Sequence, residues 1–149
     1  MLAAMRPDAW DFPLFLHVAG AMLLVGALVV VVATMAAAVR RGDGVQVLSG
    51  LAFRTLLIGV FPAYILMRVG AEWIASKESV PDDLGWVGIG YATADGGLLL
   101  TIIAAVLAWR ASRRGTDGPG GPGRAVLVLA AILIVAYGVA IWAMTAKPA

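Results

Sequence analysis

Four apolar stretches, Phe12–Val39, Leu51–Ala75, Trp86–Trp109 and Ala125–Ala146, take up most of this 149-residue chain. Each exceeds the roughly 20 residues that an α-helix needs to cross a ~30 Å hydrocarbon layer. Every backbone N–H and C=O must be satisfied inside the segment when no water is available, so such stretches fold as helices. Short links between consecutive spans make neighbours antiparallel. The expected fold is therefore all-α: a polytopic membrane protein with four transmembrane helices in an antiparallel up-down bundle. No remaining stretch is long enough for a second core, so residues 1–149 are read as one transmembrane domain.

Composition agrees. The chain is 62% hydrophobic and 13% charged, where soluble domains carry about a quarter charged residues. Cysteine is absent, which excludes disulfides, thiolate metal sites and cysteine nucleophiles. The pI of about 9.4 reflects arginines in membrane loops rather than nucleic-acid binding. The preference for arginine over lysine, with abundant Ala, Gly and Val, matches GC-rich bacterial genomes and points to a bacterial plasma membrane. The first run is too long for a signal-peptide core, and Asp8 and Asp11 precede it, so it is expected to stay as the first span.

Loop charge sets the expected orientation. Arg40 and Arg41 follow the first run; Arg110, Arg113, Arg114 and Arg124 lie between the third and fourth. The opposite side holds Arg6, Lys77 and Lys147 among several acidic residues. The Lys and Arg count puts the two arginine loops in the cytoplasm and both termini outside. Gly115–Gly123, rich in glycine and proline, reads as a flexible tether, since no strand precedes it as a phosphate-binding loop requires. Trp10, Trp73, Trp86, Trp109 and Trp142 fall near the expected interfaces, where tryptophan anchors helices.

Ionisable residues inside the runs mark the candidate site. A charge at membrane depth costs about 2.5–3.5 kcal/mol on insertion scales and normally faces protein or water. At about 100° per residue, Arg54, Ile58, Phe61, Ile65, Arg68 and Glu72 share one face of the second run, which is expected to turn into the bundle. Arg68 and Glu72 are four apart and can pair. Pro62 is expected to bend this helix and free the carbonyl of Ile58. Asp95 lies some 13 Å deep in the third run by a rise of ~1.5 Å per residue, too deep for its short side chain to reach headgroups. With His17 in the first run, these residues form an expected outer-half polar cluster: His17, Arg68, Glu72 and Asp95, with Tyr64 and Tyr91 at the same depth. Packing candidates are the small residues Gly20, Gly26, Ala27, Gly90, Ala94, Ala136 and Ala140.

The segment Leu16-His17-Val18-Ala19-Gly20-Ala21-Met22-Leu23-Leu24-Val25-Gly26 resembles the first span of the CopD-like copper-associated proteins, the HemJ-like protoporphyrinogen oxidases and four-span bacterial membrane proteins of unassigned role. The resemblance implies a helical bundle with His17 facing inward as a haem or metal ligand. Leu24 stands where these families often have Trp, and Ala27 where a second Gly is usual.

Three functions remain open on these residues. One is haem binding through His17, with Met22, Met67, Met144 or a second copy's histidine as the other axial ligand and Arg68 on a propionate. Another is a quinone-type or proton-coupled transport site using Asp95, Arg68 and His17. The leading one is a non-enzymatic component of a membrane assembly, with lipid and either further copies or other membrane subunits as partners.

Overall fold

The computed structural model describes residues 11–41, 44–78, 85–113 and 120–146, and all of them except Gly44 are helical. Trp10, the N-terminal charges, Asp82, Asp83, Lys147 and residues 114–119 of the glycine-rich loop lie outside the described residues. The elements are α1 (Asp11–Arg41), α2 (Val45–Thr55), a π-helical turn (Leu56–Val60), α3 (Phe61–Glu78), α4 (Gly85–Arg113) and α5 (Gly120–Ala146). α2, the π turn and α3 run on without a break, so four helices are long and apolar enough to cross a membrane.

α1 packs on α3 and on α5, α5 packs on α4, and α4 returns to α2. That closes an up-down ring in which every neighbour is antiparallel. The ends bearing Arg40 and Arg41 on α1 and Arg110 and Arg113 on α4 therefore share one side. Arg113 stacks over the Trp109 ring at 4.7 Å, a cation–π contact at the end of α4.

Two boundaries differ from the sequence expectation. The second span begins at Val45 rather than Leu51. Gly44, at φ 67°, supplies a left-handed residue open to glycine without strain, which lets α2 start close behind α1. The fourth span begins at Gly120, so Gly120–Gly123 is the first turn of a helix, not tether. Pro122 is accommodated there because its missing N–H falls among donors that a first turn leaves unpaired.

The core is built from small contact surfaces. α1 and α3 touch backbone to backbone: a Cβ on Gly70 would stand 2.8 Å from His17 Cα, and one on Gly20 would stand 2.9 Å from the Ala63 carbonyl oxygen. Gly26, by contrast, has nothing near its Cβ direction. Leu24, Leu28, Val31 and Met35 of α1 are fully buried, as are Leu56 of the π turn, Ala104 of α4 and Leu133 of α5.

Pro62 does not simply bend the helix. The turn preceding it widens, and the Phe61 N–H reaches back to Leu56 O, the i→i−5 bond of a π turn. The wide turn makes room where the proline ring would otherwise crowd the Ile58 carbonyl.

This turn also bears on the charged face. Arg54, Ile58 and Ile65 do not look into the bundle. Arg54 is exposed, and Ile58 and Ile65 are 78% and 57% exposed. The inward line is instead Ala52, Leu56, Val60, Ala63 and Met67, continued by Gly70 against α1. Between helices in lipid, close approach of small residues decides the facing side more than polarity does.

Candidate functional site

Beyond the π turn α3 leans on α1, whereas α2 keeps contact with α4. α3 and the N-terminal part of α4 thus stand apart, and a cavity of about 170 Å³ lies there. All four spans contribute walls: His17 from α1, Met67 and Ala71 from α3, Gly90 and Tyr91 from α4, and Tyr137 from α5. The small residues set its width. A Cβ on Gly90 would meet the Met144 methyl at 2.7 Å.

His17 sits at this wall with its orientation fixed. Its Nδ1 is 2.9 Å from the Met67 carbonyl oxygen. A carbonyl only accepts, so Nδ1 carries the proton and donates. In the neutral ring Nε2 is then a bare acceptor. The glycine contacts create this bond, since Gly20 lies against the Met67 backbone and Gly70 against that of His17.

Arg68 organises the mouth. Its Nη2 lies 3.2 Å from Glu72 Oε1 and 3.6 Å from Asp95 Oδ1. The guanidinium also covers the Tyr91 ring at 4.6 Å, and the Tyr91 hydroxyl donates to Glu72 Oε2 at 3.3 Å. One cation thus joins α3 to α4 across the gap, through the Asp95 carboxylate and the Tyr91 face, while Glu72 pairs with it within α3 and accepts from the Tyr91 hydroxyl.

The expected cluster is only partly assembled. Arg68, Glu72, Asp95 and Tyr91 meet, and His17 and Arg68 share the cavity wall. These charges do not lie in an interior, however. The Asp95 side chain is 67% exposed, that of Glu72 51% and that of Arg68 29%, so the network stands on the perimeter at the α3–α4 seam. Tyr64 is separate from it, buried in the hydrophobic core. Met22 points away from the bundle, 72% exposed, and is no partner for His17. Trp86 lines the cavity rather than serving only as an interfacial anchor; Trp73, Trp109 and Trp142 do stand exposed.

Tyr137 and the glycine opposite it were not anticipated. Tyr137 is 5% exposed, and its hydroxyl is buried with no hydrogen-bond partner among the described residues. It rests on Gly97, where a Cβ would stand 2.5 Å from the hydroxyl oxygen. The Gly97 carbonyl already receives the Thr101 hydroxyl at 2.7 Å. A tyrosine in the middle of the alanine-rich fourth run was the one available signal.

Among the described residues no group of three or more His, Asp or Glu is placed to share a metal ion. No family model, curated protein or solved structure matches the chain.

Proposed function

We propose that this integral membrane protein is a non-enzymatic membrane component that holds a small amphiphile in the outer-half cavity. The ligand enters from the bilayer between α3 and α4. The cavity itself carries the reading: its lining is mostly apolar, with His17, Arg68, Tyr91 and Thr93 among its polar side chains, the usual make-up of a small-molecule site. A space of about 170 Å³ compares with the ~150 Å³ engineered cavity that takes up benzene. It suits one ring or a short chain. It does not enclose a porphyrin, so haem on His17 would require a site completed by another copy.

Trp86 on the cavity wall makes the test direct. In a variant whose other tryptophans are replaced by Phe, bromobenzene should quench Trp86 saturably, above the linear background from bilayer partitioning. Ala71→Phe should remove the saturable part. Linear quenching alone, equal to that of a variant retaining only Trp109, would overturn the reading.

A second observation favours membership of a larger assembly. Asp95 presents two thirds of its side chain on the perimeter at membrane depth, a costly position for a carboxylate facing lipid. A neighbouring subunit, either another copy or a different membrane protein, would cover it. Since the chain has no cysteine, Leu99→Cys, one turn from Asp95, provides a unique cross-linking site. Oxidation in native membranes should give a band of twice the mass where the neighbour is another copy, and exclusively monomeric protein would count against self-assembly through this face.

The orientation belongs to the same proposal: arginine-bearing ends in the cytoplasm of a bacterial plasma membrane and both termini outside. A cysteine introduced at Ser76 should then react with an impermeant maleimide added to intact cells. Labelling only after the membrane is opened would reverse the topology.

A further inference from the structure

We propose that the occupant presents a hydroxylated aromatic ring, of the phenol or hydroquinone class, whose O–H donates to Nε2 of His17. This rests on the cavity reading above and specifies its ligand. The determining feature is the tautomer. With Nδ1 donating to the Met67 carbonyl at 2.9 Å, neutral His17 offers only a lone pair at Nε2. A ligand carbonyl or ether oxygen facing that nitrogen sets acceptor against acceptor. A hydroxyl makes a hydrogen bond. The site therefore favours the reduced, hydroxyl-bearing ring over its keto or ether counterpart.

The surroundings fit a ring. Trp86, Tyr91 and Tyr137 put aromatic groups around a space of one-ring size, where edge and face contacts add to apolar burial. The imidazole cannot turn freely to present a donor. Rotation would break the bond to Met67, and α1 and α3 are held at backbone contact by Gly20 and Gly70 on either side of it.

His17 is the only histidine, so selective 15N-histidine labelling reports on this ring alone. In lipid nanodiscs the unliganded protein should show a protonated Nδ1 and a bare Nε2. Adding 4-methylphenol should shift Nε2 saturably. 4-Methylanisole, nearly the same shape without the donor, should bind roughly tenfold more weakly, as expected for a buried acceptor left unpaired, and should leave Nε2 in place. Equal affinity for the two compounds, or an unmoved Nε2 at saturation, would overturn the hydroxyl assignment while leaving the cavity reading intact. If neither compound binds saturably, the cavity reading fails with it. Ala71→Phe provides a filled-cavity control that retains His17. A prenylated hydroquinone in the bilayer distinguishes the source of the ring. Competition with 4-methylphenol identifies a lipid-soluble quinol, and its absence restricts the site to small free phenols; both results retain the hydroxyl.

Discussion

Gly20 and Gly70 are reciprocal contacts: each sits against the backbone of the other's helix, three residues from one partner of the His17–Met67 hydrogen bond. The spacing of α1 and α3, the orientation of the imidazole and one wall of the cavity thus depend on the same pair of missing side chains.

Alanine at either position should be costly, because the new methyl meets backbone that cannot move aside. Gly70→Ala should lower stability by at least the ~1–3 kcal/mol usual for overpacking and weaken the His17 bond. Gly26→Ala, on the same helix as Gly20 but with open space around it, should be nearly neutral. Thermal unfolding in detergent of the three proteins checks both expectations, and equal losses would remove the close-contact argument.

Tyr137 and Gly97 form a second coupled pair. An unsatisfied buried hydroxyl costs about 1–3 kcal/mol, so Tyr137→Phe should hold or raise stability. Gly97→Ala places a methyl against the hydroxyl oxygen and should destabilise. Combined with Tyr137→Phe, part of that loss should be recovered, because the nearest clashing atom is gone. A double-mutant cycle measures this, and strict additivity would show that the two residues do not interact.

Arg68 joins α3 to α4 through Asp95, so Arg68→Gln and Asp95→Asn should each destabilise the protein, with the double change milder than their sum. The coupling should be favourable, because either single change leaves the other side chain without its partner on the facing helix. A vanishing coupling would leave the Tyr91 stacking as the effective link across the seam.

Much of this was legible in the chain. Span number and pairing follow from run lengths and short connections, and Gly20 was recognisable as a packing residue. Gly70 and Gly97 were not, because glycine and alanine are so frequent here that their spacing marks no particular face. The inward side of the second span was misread for a related reason. With apolar residues all round the helix, the charges Arg54, Arg68 and Glu72 provided the contrast, yet polarity does not decide which side packs in lipid. The π turn then shifts the helical phase between Arg54 and Arg68, so a uniform 100° step no longer relates them. The Arg68–Glu72 pair depended only on local spacing within α3, and it is formed.

That π turn makes a distinct prediction. It absorbs one residue more than an α-helical path of the same length. Deleting Leu57, which is 43% exposed, together with Pro62→Ala, should restore a regular helix while preserving the faces on either side. Deleting Ile132 from α5 should instead rotate one half of that helix by about 100° and abolish folding. Yield of monodisperse protein after extraction distinguishes the two, and equal failure would argue against the surplus-residue account.

The gap between α3 and α4 also changes what binding requires. An apolar solute dissolved in the bilayer is already concentrated there by its loss of contact with water, and its polar head is held near the outer interface. A site reached sideways through two helices samples this enriched population, so its own contacts need to supply only selectivity. One hydrogen bond and a ring-sized wall then form a sufficient recognition element, and occupancy follows the solute content of the surrounding lipid rather than its level in the aqueous phase.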